Sequence, residues 1–332
     1  MMTRWDFFVF AFRQDFRPGK APKSHRLPLA IAGLVCIAGA ACDREPEEPS
    51  PEVRAAQTQA ILSDVISSPE RTQEDVLRDR WRHPGETLAF FGMTEDMDVI
   101  EIWPGYGWYT NILAPFLTHG PGTLTVATVD PSASDEARGA VTRLEGKFRN
   151  KSYYGDVETS VFFVSDTSSA GEPKPETMFS KAPEKPVDLV LSFRNLHNWI
   201  EADQAEFAFS SIYGALKPGG VFGLVAHRAA RDQADFESHG GYVTEATAIS
   251  LAISAGFVLD ERSEINANPA DTRDHPFGVW TLPPVLRQIS MPGETAIPDV
   301  EKYKAIGESD RMTLRFKKLA TPPPNDGAED TE

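Results

Sequence analysis

From residue 98 onward, apolar runs of strand length alternate with amphipathic stretches of helix length, and this alternation restricts the chain more than any other feature. Strands that read as near-continuous apolar runs are buried on both faces, and helical crossovers between successive strands make them parallel. The candidate strands are 98–103, 124–130, 161–164, 187–193, 220–227, 257–265 and 312–317. Seven strands with helices between the early ones predict a doubly wound α/β sheet.

Composition narrows the partners. A formal charge of -16 leaves no broad basic surface to neutralise phosphates, which argues against a nucleic-acid substrate and for a small molecule or a protein. The two cysteines, Cys36 and Cys42, lie together near the start, so the body of the chain has no disulfide, thiolate metal ligand or cysteine nucleophile.

The first 41 residues read as a signal peptide: a basic flank (Arg4, Arg13, Arg17, Lys20, Lys23, Arg26), an apolar run over 27–41 and the small residues Ala38-Gly-Ala-Ala41. The run is shorter than the roughly 20 residues that span a bilayer. Cys42 after small residues resembles a bacterial lipoprotein box, which implies a lipid anchor on a periplasmic protein. Simple cleavage and an uncleaved anchor are the alternatives.

Residues 42–58 read as a disordered, acidic and proline-rich tether, 59–320 as the folded domain, and 321–332 as a disordered tail. At the start of the domain, 60–66 and 70–82 read as helices, the second with Ser68 as cap and Pro69 in its first turn. Two stretches break the rhythm: 167–185, a surface loop, and 266–300, long enough for a functional flap.

The first strand ends at Glu101-Ile-Trp-Pro-Gly-Tyr-Gly107, and a helical stretch follows over 108–117. Gly105 and Gly107 let the backbone approach a ligand, and a helix start offers unpaired N–H groups. Glu101 is placed to take an ammonium group, which suits S-adenosylmethionine better than a dinucleotide. The third glycine of the dinucleotide pattern would fall at Thr110 and is absent. Asp130, 23 residues after Gly107, either accepts ribose hydroxyls or caps a helix after Pro131. Asp166 either contacts the adenine amino group or simply opens a loop.

Leu216-Lys-Pro-Gly-Gly220 followed by Val-Phe-Gly-Leu-Val-Ala226 resembles the start of the fifth strand in class I S-adenosylmethionine-dependent methyltransferases. More narrowly, the Glu101–Thr110 segment, Ser192-Phe-Arg-Asn-Leu-His-Asn-Trp199, Asn268-Pro-Ala-Asp-Thr-Arg-Asp274 and Ala305-Ile-Gly-Glu-Ser-Asp-Arg-Met312 resemble a family of predicted extracytoplasmic bacterial methyltransferases. The resemblance runs over about 68–318. It implies a Rossmann-like doubly wound seven-stranded sheet, mostly parallel with an antiparallel last strand, and S-adenosylmethionine as cofactor. The acceptor is an unidentified small molecule or envelope component. Trp103 stands where the superfamily's loop has its first glycine; its ring either lines the pocket, facing a sulfonium cation, or packs beneath the loop.

Methyl transfer needs the acceptor atom held in line with the methyl group, and a base where the acceptor loses a proton. Residues after the fourth strand face that methyl in the superfamily; here they are Arg194, Asn195, His197, Asn198 and Trp199. His197 is the candidate general base, or else a structural hydrogen bonder; Arg194 and Asn198 complete the catalytic set. Glu101, Gly105, Gly107, Asp130, Asp166 and Asn195 form the candidate cofactor set. Arg194 or Arg228, beside His227 at the end of the fifth strand, would bind an anionic acceptor.

Arg273, Asp274 and His275 lie in the long loop. Arg78, Asp79 and Arg82 form an N-terminal lid or a solvated helix face. His197, His227 and His275 lack the local spacing of a metal site. The competing function is a catalytically inactive ligand-binding or scaffold protein on the same fold. A nicotinamide oxidoreductase is disfavoured by Thr110 and by the lack of a Tyr-X-X-X-Lys pair.

Overall fold

The computed structural model describes residues 50–163, 176–231, 240–287 and 299–320. The expected leader with Cys36 and Cys42, the tether up to residue 49, Asp166 and the tail from 321 lie outside the described residues.

The strands are β1 (Asp98–Ile102), β2 (Thr123–Thr128), β3 (Val157–Val161), β4 (Val187–Phe193), β5 (Leu216–His227), β6 (Val258–Ser263) and β7 (Arg311–Lys317). They form one sheet in the order β3-β2-β1-β4-β5-β7-β6. β1 to β5 pair in parallel, and β7 lies antiparallel between β5 and β6. The α/β fold is thus the doubly wound sheet with an antiparallel last strand. Strand order reverses between β1 and β4, the switch point where such sheets bind ligands at their carboxyl ends.

The helices are α1 (Pro51–Ile66), α2 (Gln73–Leu77), α3 (Asp79–Arg82), α4 (Pro84–Phe90), α5 (Thr110–Leu117), α6 (Asp135–Lys147), α7 (Lys151–Tyr154), α8 (Leu196–Glu201), α9 (Ala205–Ala215), α10 (Glu245–Ser254) and α11 (Val300–Ile306). Alternate strand residues serve opposite faces. Val99, Leu189, Leu191 and Val225 pack with Leu62, Leu88 and Ile112 on one side. Ile100, Ile102, Val190 and Leu224 pack with Trp199, Phe209 and Ala248 on the other. Among the described residues no helix is long and apolar enough to cross a membrane.

Three elements depart from the sequence reading. α1 begins at Pro51, inside the expected tether, because Ser50 caps it and accepts the Val53 N–H, with proline in the first turn where no donor is needed. The expected helix over 70–82 is two short helices, α2 and α3, and the cap is Thr72, which accepts the Asp75 N–H at 3.1 Å, not Ser68. β3 lies four residues before the apolar run chosen for it. It is an edge strand with polar Glu158, Thr159 and Ser160 at its centre, the first two exposed, so hydrophobicity does not mark it.

Candidate active site

Glu101 is the next-to-last residue of β1 and sits between Val126 of β2 and Leu191 of β4, in the middle of the sheet. Its carboxylate is 1% exposed. Oε2 accepts the Thr110 hydroxyl at 2.5 Å, and Oε1 has no hydrogen-bond partner among the described residues. Burial pushes its pKa up to about 7, against the opposing pull of the Thr110 hydrogen bond and the Lys147 charge.

Past the strand the chain turns sharply. Trp103 takes a positive φ of 47°, its backbone N–H donates to Ala127 O at 2.8 Å, and Gly107 N–H closes on Pro104 O at 3.0 Å. The two expected glycines do different work. Gly107 (φ 77°) is held against α6, where a Cβ would lie 2.6 Å from Leu144 Cδ1. Gly105 (φ 60°) has nothing within 4 Å of where a Cβ would stand, so this is the side of the loop open to a ligand. Lys147 of α6 fixes the outer limb, donating to Tyr106 O at 2.6 Å and Asn111 Oδ1 at 3.2 Å.

The Trp103 ring lies in the core, edge-on to Phe162 and Trp199, with its indole N–H donating to Phe162 O at 2.9 Å. Of the two readings of this residue, packing beneath the loop is the one the geometry takes.

Asp130 lies two residues beyond β2, and its Oδ1 accepts both the Ser132 N–H (2.8 Å) and the Ser132 hydroxyl (2.7 Å). That bond closes a turn and is not the expected helix cap, which is Ser134 accepting the Ala137 N–H; Oδ2 has no hydrogen-bond partner among the described residues. Asn195 donates from Nδ2 to Ile102 O at 2.9 Å and to Ser192 Oγ at 3.2 Å, tying the ends of β1 and β4 together behind the loop.

Beyond β4, Arg194 has a positive φ of 67°, and its N–H donates to Val225 O at 2.7 Å. His197 and Asn198 then open α8. The His197 ring is buried, 5.3 Å from the His227 ring and 5.7 Å from that of Trp280, centre to centre. Burial, and then the Arg194 charge, pull its pKa down to about 3, so at neutral pH it is an uncharged imidazole. Burial and nearby cations likewise lower His227, whose Nδ1 lies 2.5 Å from Ser309 Oγ. His275 stands apart, its Nε2 2.8 Å from Asp271 Oδ1.

The arginines sort into committed and uncommitted groups. Arg228 pairs with Asp310, Glu245 and Glu264, and Arg273 pairs with Asp310 at 2.5 Å and donates to Arg228 O at 2.9 Å. Neither has charge to spare for an acceptor. The Arg194 guanidinium makes no hydrogen bond or ion pair among the described residues.

Arg82 is not on a solvated face: it is 3% exposed and converges with Arg78 and Arg311 on buried Glu308. Asp79 pairs instead with Arg71 at 2.6 Å. Sequence reading passed over Glu308 and Arg311 as site residues. Their signal was the charged run Glu308-Ser-Asp-Arg311 leading straight into an apolar strand.

The two remaining motifs build the platform under this cluster. Asn268 donates from Nδ2 to Ile306 O (2.9 Å) and Glu308 O (2.6 Å), while its N–H meets Asp310 Oδ1 at 2.8 Å. Asp271 accepts the Asp310 N–H at 2.7 Å and the Tyr242 hydroxyl at 3.0 Å. The 268–275 segment is therefore anchored to the sheet, with Asp274 at its exposed side.

No family model and no curated protein matches the chain. Among solved structures it is similar to an S-adenosylmethionine-dependent methyltransferase from Aquifex aeolicus, at 14% identity over 79% of this chain and 98% of that one, TM-score 0.42. It is similar also to the 4+2 cyclase SpnF, at 14% identity over 81% and 96%, TM-score 0.45. A third is the N-methyltransferase NodS from Bradyrhizobium japonicum WM9, at 16% identity over 73% and 96%, TM-score 0.40.

Proposed function

We propose that the protein is an S-adenosylmethionine-dependent methyltransferase, exported and lipid-anchored through Cys42 in the periplasm, acting on a small molecule or envelope component. The observation that carries this reading is Glu101: a buried carboxylate with one unpartnered oxygen, at the switch point of the sheet, beside the open face of Gly105. A carboxylate held there with no ion pair among the described residues fits a ligand that brings its own ammonium group.

S-adenosylmethionine would supply the electrophilic methyl group. Glu101 holds the amino end, the turn at Gly105 lets the backbone come close, and the free Oδ2 of Asp130 suits a ribose hydroxyl. Asn195 acts as a positioning residue, since its amide is spent on β1 and β4. His197, neutral and weakly basic, suits orienting an acceptor by hydrogen bond better than removing its proton. Methyl transfer then relies on alignment and exclusion of water.

Calorimetric titration of S-adenosylmethionine into the purified protein tests this reading. Saturable binding, abolished by Gly105→Arg, is expected; a flat titration with folded protein sinks it.

The low basicity of His197 also favours a second reading, a ligand-binding protein without turnover on the same fold. A methyl-transfer screen against envelope extracts separates the two, since labelled product excludes the second.

A further inference from the structure

We propose that Arg78, Arg82, Arg194 and Arg311, gathered about Glu308, form a binding site for an oxyanion, the carboxylate or phosphate group of the methyl acceptor. That this anion belongs to an acceptor rests on the methyltransferase reading; the anion site itself rests on the cluster.

Glu308 is 2% exposed and accepts Arg78 Nε at 2.8 Å, Arg82 Nε at 3.0 Å and Arg311 Nη1 at 3.1 Å. Three guanidinium groups share one carboxylate. Arg194 adds a fourth cation, on which the charges of Arg82, Arg78, Arg311 and Glu308 all bear. Two sequence neighbours of the cluster residues, Asp79 and Asp310, are committed elsewhere, Asp79 to Arg71 and Asp310 to Arg228 and Arg273.

Four cations about one anion, two of them and the anion buried, is costly unless something compensates. The shortfall is visible atom by atom: Arg78 Nη2, Arg82 Nη2 and Arg311 Nε are buried without a hydrogen-bond partner. Arg194 and Arg78 remain partly exposed and form the approach, while Arg82 and Arg311 form the floor. Planar guanidinium forks match the geometry of carboxylate and phosphate oxygens.

The place is right for an acceptor. Arg194 follows β4 and Arg311 opens β7 opposite His227 at the end of β5, so the cluster lies along the carboxyl edge of the parallel strands. The His197 and His227 rings adjoin it and carry no charge at neutral pH, so they neither repel nor replace an anion.

Inorganic phosphate and acetate, titrated by calorimetry into the purified protein at constant ionic strength in chloride, are the probes. Saturable one-site binding of at least one is expected, weakened about tenfold or more by Arg194→Gln. Glu308→Gln keeps the shape and one acceptor oxygen but removes the internal anion, so it tightens binding several-fold; a purely structural cluster would only lose stability. No binding beyond chloride, or equal affinity in wild type and both folded variants, overturns the site. S-adenosylmethionine titrated into the same wild-type sample reports separately on the proposed function. Cofactor binding without anion binding overturns the anion site alone, and anion binding without cofactor overturns the methyltransferase reading alone.

Discussion

The indole N–H of Trp103 donates to the carbonyl oxygen of Phe162 at 2.9 Å, fastening the β1 turn to the chain just beyond β3. The ring that interrupts the glycine pattern is thus a floor beneath the loop, not a plug in it. Restoring glycine at Trp103 would relieve a backbone held at φ 47°, a gain of order 1 kcal/mol. It would also delete a large core side chain, which costs about 3–5 kcal/mol. The cavity wins, and Trp103→Gly should lose about 2–4 kcal/mol in chemical denaturation. An unchanged midpoint would remove Trp103 from the core.

On the proposed function, Glu101 makes stability and S-adenosylmethionine affinity respond oppositely to pH. Its native pKa of about 7 stands above the ordinary 4.5, so between those values the native state holds more proton than the unfolded chain. Stability from this group is therefore full below about pH 4.5 and is lost as pH rises through 7. Glu101→Gln should gain on wild type by up to about 3 kcal/mol at pH 8 and by nothing at pH 4. Its affinity for S-adenosylmethionine should fall if, as proposed, the ionised carboxylate holds the ammonium. Parallel denaturation and binding curves for the two proteins decide it.

What the sequence made legible follows from what is local. β4 announces itself as a mostly apolar run because it is an interior strand with parallel neighbours on both sides. β3, Val157-Glu-Thr-Ser-Val161, does not, because an edge strand keeps polar side chains in water. The strand end at Glu101, the turn with Gly105 and Gly107 and the helix after it could be read from spacing alone. The partition of work between the two glycines could not, since it depends on Leu144 of a later helix. The arginine cluster was hidden for the same reason: Arg82 and Glu308 lie 226 residues apart, and each alone looks like a surface charge.

His197 predicts an acid limb. With a native pKa near 3 against an ordinary 6.5, the folded state resists protonation, so its contribution is present above about pH 6.5 and drains away as pH falls toward 3. His227 is shifted the same way and steepens the loss. In the native protein the His197 ring protons should show no titration by NMR between pH 5 and pH 8, a range in which an exposed histidine titrates fully. A midpoint near 6.5 would restore His197 as a candidate base. His197→Gln should flatten the acid limb of the stability curve.

Asn268 tests whether the two loop motifs act as one platform. Its amide is a donor to two backbone carbonyls, part-buried Ile306 O and buried Glu308 O. Asn268→Ala leaves both unpaired, at about 1–3 kcal/mol each, so a loss of about 2–6 kcal/mol is expected. Asn268→Asp keeps the volume but turns a donor into an anion facing the same carbonyls, and should cost at least as much at pH 7. Because Glu308 hangs from this segment, both variants should also weaken phosphate binding at temperatures where they remain folded. Denaturation midpoints within about 0.5 kcal/mol of wild type would mean that water or neighbouring chain replaces the bonds, and that Glu308 is placed by its arginines alone.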